Sequence, residues 1–169
     1  MYNYRITKYN PRFRNIDGFF INDEWTSVSD VGKSYNGAIL EFSEYLKLEN
    51  AYISAIHILM KLNNVNFLRL TEIEKSKIAV DYPDISIINS REYIQKIRNN
   101  QNFSYSNIDL LVRLILREMV WGKLICDDMY VHFGYDYYMY IGSRDNLRTE
   151  AKIISGLGLF VEEVPSLSI

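Results

Sequence analysis

Three apolar, aromatic-rich runs stand almost back to back between residues 123 and 141, and they restrict the fold more than any other feature of the chain. They cover residues 123–126, 129–133 and 137–141. Asp127-Asp128 separates the first two and Gly134-Tyr135-Asp136 the second pair. A parallel crossover needs about a dozen residues or more, so spacers this short force each run to turn back on the one before. The spacing predicts a three-strand antiparallel meander. With helical periods upstream of it, the chain reads as α+β, helices packed on a largely antiparallel sheet with the meander in the C-terminal half.

The longest helical period begins after Ser43, the expected cap, and runs to about residue 62. Tyr45, Leu48, Tyr52, Ala55, Ile56 and Leu59 mark one face and Lys47, Asn50, Ser54, His57 and Lys61 the other. Ser106 with Asp109 resembles a capping pair for a helix reaching about residue 120. Leu111, Val112, Leu114, Ile115 and Met119 cover most of its circumference, which predicts a central position. A short helix is expected after Ser90, and another over 146–155 with Gly156 as its C-cap. Strands are expected at residues 4–9, 19–21, 66–70 and 159–164, with irregular chain at 22–37 and around Pro83. The 169 residues include only three prolines and eight glycines and show no repeat or linker, so 1–169 is read as a single globular domain.

Charge and composition narrow the function. A formal net charge of −2 lacks the basic excess of a dedicated nucleic-acid binder, so no direct nucleic-acid partner is expected. No apolar stretch approaches the ~20 residues of a membrane-spanning helix, so no membrane partner is expected either. Met1-Tyr2-Asn3-Tyr4-Arg5 lacks the apolar core of an export signal, and Cys126 has no second thiol to bridge. A cytoplasmic location is the expectation. The unusual number is aromatic: 14 tyrosines, eight phenylalanines and two tryptophans. Tyrosine joins a broad apolar face to one polar tip with few rotors to freeze, which suits strands and binding surfaces alike.

Signals for bond-making chemistry are sparse. Val31-Gly32-Lys33-Ser34 imitates the end of a phosphate-binding loop, but Ser27 stands where that loop needs its first glycine. Gly156-Leu157-Gly158 follows a helix instead of a strand, against a dinucleotide site. No Gly-x-Ser-x-Gly elbow occurs. His57, His132 and Cys126 fall short of a zinc ligand set. The carboxylates Asp23 with Glu24, Asp81 with Asp84 and Asp127 with Asp128 lack a spacing that specifies a metal. No catalytic residue, metal ligand or cofactor is assigned, and the chain is expected not to be an enzyme. The residues leave two alternatives open. One is a metal-dependent nucleotide or RNA hydrolase using these carboxylates. The other is an RNA-binding accessory protein using Arg5, Lys8, Arg12 and Arg14, which interleave with Tyr2, Tyr4, Tyr9 and Phe13.

The densest feature is the aromatic run from Phe133 to Tyr140. Alternation sends Tyr137, Met139 and Ile141 to one face and Tyr138 and Tyr140 to the other. Unless helices cover both faces, tyrosines stand exposed beside Asp127, Asp128 and Asp136, a surface suited to a cationic protein.

The string Asp23-Glu24-Trp25-Thr26-Ser27-Val28-Ser29-Asp30, the run Phe-Gly-Tyr-Asp-Tyr-Tyr-Met-Tyr-Ile-Gly-Ser from Phe133 to Ser143, and the ending Gly158-Leu159-Phe160-Val161-Glu162-Glu163 carry a further signal. Together they resemble immunity proteins of bacterial contact-dependent growth inhibition, part of the polymorphic toxin systems. The likeness spans most of the chain. It implies a cytoplasmic protein that binds one cognate toxin domain, often a nuclease acting on transfer RNA, and blocks its active site or substrate access. The modest net charge departs from the strongly acidic form of such inhibitors and leaves open whether the protein plugs an active site or binds beside it. The residues expected to touch the toxin are Asp23, Glu24, Trp25, Asp127, Asp128, Tyr135, Asp136 and Tyr138.

Overall fold

The computed structural model describes residues 1–77, 82–84 and 87–165. In chain order its elements are β1 (Tyr2–Thr7), β2 (Ser34–Tyr35), β3 (Ala38–Ile39), α1 (Phe42–Leu62), β4 (Phe67–Lys75), α2 (Ile87–Lys96), β5 (Asn102–Ser104), α3 (Ile108–Leu116), β6 (Val120–Ile125), β7 (Met129–Phe133), β8 (Met139–Ser143), α4 (Thr149–Gly156) and β9 (Phe160–Glu163). Seven strands form one sheet in the order β5-β4-β6-β7-β8-β1-β9, and β2 with β3 makes a separate hairpin. Every pairing in the large sheet is antiparallel. The α+β class and the meander, β6-β7-β8, are as the spacing predicts.

Alternation along each strand turns one residue in two toward the helices. Tyr4, Ile6, Leu68, Leu70, Leu124, Met129, Val131, Met139 and Ile141 are buried on that face. Against them α1, 21 residues and about 31 Å long, presents a stripe including Tyr45, Tyr52, Ile56, Leu59 and Met60. Each fully buried Leu or Ile contributes roughly 1.5–3 kcal/mol. Beside α1, and against β6, lies α3. Ile108, Leu111, Val112, Leu114, Ile115 and Leu116 are all buried, the central position its apolar circumference predicts. α4 packs between α1 and β9.

One residue on the buried stripe of α1 is charged. Glu49 is fully buried, and Arg117 grips it with Nε to Oε1 at 2.7 Å and Nη2 to Oε2 at 2.8 Å. Arg113 pairs with the same carboxylate, and the Tyr45 hydroxyl donates to it at 3.0 Å. The other edge of Arg117 donates to Asp84 at 2.9 and 2.8 Å, and its guanidinium lies 4.7 Å from the Tyr82 ring centre. A buried carboxylate is tolerated only with partners on both oxygens, and here it has them. The cluster ties α1, the end of α3 and residues 82–84 together.

Several local expectations are corrected. α1 starts at Phe42 rather than after Ser43, because the Phe42 ring stacks on Tyr45 and Tyr82 and draws the helix back. Residues 19–21 form no strand. The Asn15 side chain accepts the Asp17 and Phe19 amides and curls the chain, leaving one isolated bridge between Arg14 and Phe20. The strand expected at 66–70 continues to Lys75, and residues 102–104 pair with it as β5. Ser90 lies inside α2 and does not start it. α3 stops at Leu116, four residues early, and α4 begins at Thr149, its approach held by a bond from the Leu147 amide to the Tyr4 hydroxyl. Gly158, at φ 90°, takes the left-handed place after α4, not Gly156. Tyr137 precedes β8 and lies in the turn before it. His57 is not freely solvated: its Nε2 lies 2.5 Å from Asp109 and its ring meets Tyr105 edge-on.

Candidate functional site

The ladder between β6 and β7 stops at the Lys123–His132 pair. Beyond that pair β6 stays bonded to β4, while β7 stays bonded to β8 as far as Phe133–Met139. The two strands part, and the gap is a cleft of about 610 Å³. Glu74, Val120 and Trp121 line it from the β6 side and residues 132–137 from the β7 side. Ile115, Leu116 and Glu118 enter from the end of α3, and Thr26 and Ser27 complete the lining.

Local sequence builds this opening. Between the Thr71–Lys123 and Glu74–Trp121 pairs β4 holds one residue more than β6, a bulge in which Glu72 takes φ 53°. Unbulged, Glu74 would share the inward parity of Leu68 and Leu70; the extra residue turns it to the face of Trp121. Gly122 allows the strands this close, since a Cβ there would lie 2.6 Å from Leu70 Cδ1 and 3.0 Å from the Thr71 carbonyl oxygen. α3 ends with the Glu118 amide bonded to the Ile115 carbonyl and the Met119 amide to the Leu114 carbonyl. That arrangement leaves Glu118 at φ 59°, where glycine is usual. Across the gap, Tyr135 to Tyr138 form a tight turn with Asp136 and Tyr137 at φ 56° and 60°.

The described non-glycine residues with positive φ are Asn36, Asn64 and Asn100, of a type that tolerates it, and Glu72, Glu118, Asp136 and Tyr137. The last four all stand at the cleft or in the bulge beside it. Each such residue costs about 1–2 kcal/mol and persists only where its surroundings enforce it. For Tyr137 the enforcement is visible. Its ring lies 5.6 Å from Trp25 and 6.2 Å from Tyr52, and its carbonyl accepts the Tyr52 hydroxyl at 2.6 Å.

The lining joins rings and acids. Trp121 and the 93% exposed Tyr135 present aromatic surface. Glu74, Glu118 and Asp136 supply three carboxylates, none of them ion-paired among the described residues. Glu118 accepts the Ser27 hydroxyl at 2.9 Å. Among the described residues, no lysine or arginine lines the cleft. His132 lies edge-on to Trp121 and has a buried Nδ1 without a partner among the described residues. Burial, helped by the Lys123 charge, lowers its pKa from the ordinary histidine value and favours the neutral ring. Among the described residues, no three His, Cys, Asp or Glu are grouped to hold a metal ion.

The residues singled out from sequence divide. Tyr135 and Asp136 line the cleft, and Trp25, half-buried, packs on Tyr137 behind it. Glu24 pairs with Lys8 at 2.9 Å, and Lys8 lies 4.1 Å from the Trp25 ring centre. Asp23 is exposed in the same segment. Asp127 and Asp128 sit at the other end of β7, about 17 Å away along the strand, with Asp128 paired to Arg144. Tyr138 turns from the cleft toward Arg5, Tyr9 and Arg14, and its hydroxyl accepts Arg14 Nη1 at 3.0 Å. Asp81 lies outside the described residues. In the basic N-terminal segment, Arg5 and Arg14 both bond to Glu162 and Lys8 to Glu24. Sequence reasoning missed Glu74, Glu118, Trp121 and the cleft role of His132. The one available signal was Trp121-Gly122, a large ring beside a residue without a side chain at the head of a strand.

Compared with known proteins, the chain matches no family model, no curated protein and no solved structure. Among the described residues, no helix is long and apolar enough to cross a membrane.

Proposed function

We propose that this chain is an immunity protein that binds a cognate toxin domain in the cytoplasm and neutralises it by covering its active site or the path of its substrate. The observation that carries the reading is the cleft between β6 and β7, where strained backbone at Glu72, Glu118, Asp136 and Tyr137 frames exposed aromatic surface and three carboxylates that form no ion pair among the described residues. Strain of this kind collects at functional positions. Aromatic anchors in a hollow with a charged rim are the usual centre of a protein interface. A toxin domain that acts on nucleic acid carries the cationic surface such a rim attracts, and charge complementarity speeds the encounter. The proposed contact surface is Trp121, Tyr135, Glu74, Glu118 and Asp136, with Asp23 to Trp25 beside it. Asp127, Asp128 and Tyr138 fall outside it.

The test is to titrate the toxin domain encoded beside this chain's gene with wild type and with Glu74→Lys/Asp136→Lys, and to score growth protection. Wild type is expected to bind and protect, and the charge-reversed variant to lose at least ~30-fold in affinity. Unchanged affinity and protection in the variant defeats the surface. Absence of any binding by wild type defeats the function.

A further inference from the structure

We infer that the cleft between β6 and β7 is a recognition site for a single arginine side chain, the residue by which a partner protein anchors itself. The partner's identity rests on the toxin-binding reading; the chemistry of the pocket does not. Ile115, Leu116, Val120 and Phe133 give the cleft an apolar lining suited to the methylene stem of a long side chain. Its charged groups are all acceptors. Glu74, Glu118 and Asp136 are carboxylates, which accept only. A ligand for such a set should be rich in donors and carry no acceptor. A guanidinium has five N–H donors and none. It is also planar, so it can lie against the Trp121 or Tyr135 ring while its edge bonds a carboxylate, which an ammonium does less well.

The protein's own cations show the same arrangement. Arg117 sits on Glu49 and Asp84 with its guanidinium over Tyr82. Arg14 bonds Glu162 with its guanidinium 5.4 Å from the Tyr138 ring centre. Lys8 bonds Glu24 over Trp25. In each case the cation meets at least one ring and at least one carboxylate. The cleft presents rings and carboxylates together, and among the described residues none that lines it is a cation.

The experiment follows the indole N–H signals of Trp25 and Trp121 in the full chain, assigned with Trp121→Phe, during titration with N-acetyl-arginine amide. The citrulline and lysine analogues are the comparison probes. Citrulline keeps the shape of arginine and removes the charge. The arginine probe is expected to shift the Trp121 signal saturably and to leave Trp25 in place. The citrulline probe should bind about tenfold or more weakly. Glu74→Gln/Glu118→Gln should abolish the response with the Trp25 signal unmoved, which shows that the variant is folded. No saturable shift, an equal response to citrulline or lysine, or full binding by the double variant each overturns the site. If the arginine probe binds at Trp121 but the toxin domain does not bind wild type, the toxin reading fails and the arginine site stands. If the toxin domain binds and excess arginine probe does not compete, the site fails as an anchor and the toxin reading stands.

Discussion

Replacing Arg117 by methionine removes both bonds on a carboxylate that has no access to water. Glu49 and Arg117 are each fully buried, and the pair is bidentate at 2.7 and 2.8 Å. Breaking a buried pair by deleting one partner costs about 3–5 kcal/mol, mostly from the charge left behind. Glu49 would keep Arg113 and the Tyr45 hydroxyl, and Asp84, about a third exposed, can rehydrate. Both facts favour the lower end, so the expected loss is about 3 kcal/mol. For a domain of this size that corresponds to about 6–12 °C in Tm. Urea unfolding followed by far-UV circular dichroism measures it. The second arm is Glu49→Leu/Arg117→Met, which removes both charges. An apolar pair of similar volume is often neutral or stabilising in place of a buried ion pair, so the double variant should recover to within about 1 kcal/mol of wild type. A single variant that loses less than about 1 kcal/mol, or a double variant worse than the single, would show that losing this pair does not leave a costly buried charge.

Two further outcomes are expected. Burial alone would raise the Asp30 carboxyl, but hydrogen bonds from Lys33 and from the Thr26 and Ser27 amides outweigh it and hold the pKa near about 2, against 3.8 ordinarily. A pKa lowered by folding adds stability above the unfolded value and loses it as pH falls through the folded one, so wild type should weaken between 3.8 and about 2. Asp30→Asn should be less stable at pH 7 and shallower than wild type across that acid window in unfolding experiments, where Asp84, lowered by its bonds from Arg117, still contributes. Glu118→Gly should unfold at the same or a higher urea concentration than wild type, because relief of the left-handed backbone is worth about 1 kcal/mol. The same variant should bind the toxin domain more weakly, and a clear loss of stability would show that Glu118 is not strained.

Short-range constraints made the framework legible. Asp127-Asp128 and Gly134-Tyr135-Asp136 are too short for anything but a reversal, so the order β6-β7-β8 follows from spacing alone. The all-round apolar pattern of residues 111–116 likewise identified a central helix. What stayed hidden depends on partners distant in sequence or on a backbone state that no residue type signals. The bulge in β4 is one inserted residue with no marker, and without it Glu74 reads as an ordinary outward or inward residue of an uncertain strand. Met119-Val120 prolongs the apolar pattern of α3, which masked the stop at Leu116 and the exposed Glu118. Asp136-Tyr137 occupies a turn in which Asn-Gly is the readable signal. Nothing local marks Glu49 as buried; Arg113 and Arg117, far along the chain, supply the partners that permit it. Of the expected contact residues, those in the segment 23–25 and in the turn 135–136 share one end of the molecule, because Tyr137 packs on Trp25. Nothing local in sequence states that contact.

The position of β1 bears on how the chain is made. Tyr2 pairs with Ser143 and Thr7 with Phe160, so the first strand of this sheet in chain order lies between its last two. At about 5–20 residues per second, β1 waits roughly 7–30 s on the ribosome before its first neighbour exists. During that time Tyr4 and Ile6 have no core to enter, and an unpaired apolar strand is open to stray association. Helices form fast and locally, but the seam that closes this sheet is a late event with high contact order. Slowing translation within β8 should therefore lower soluble yield far more than slowing it within α1.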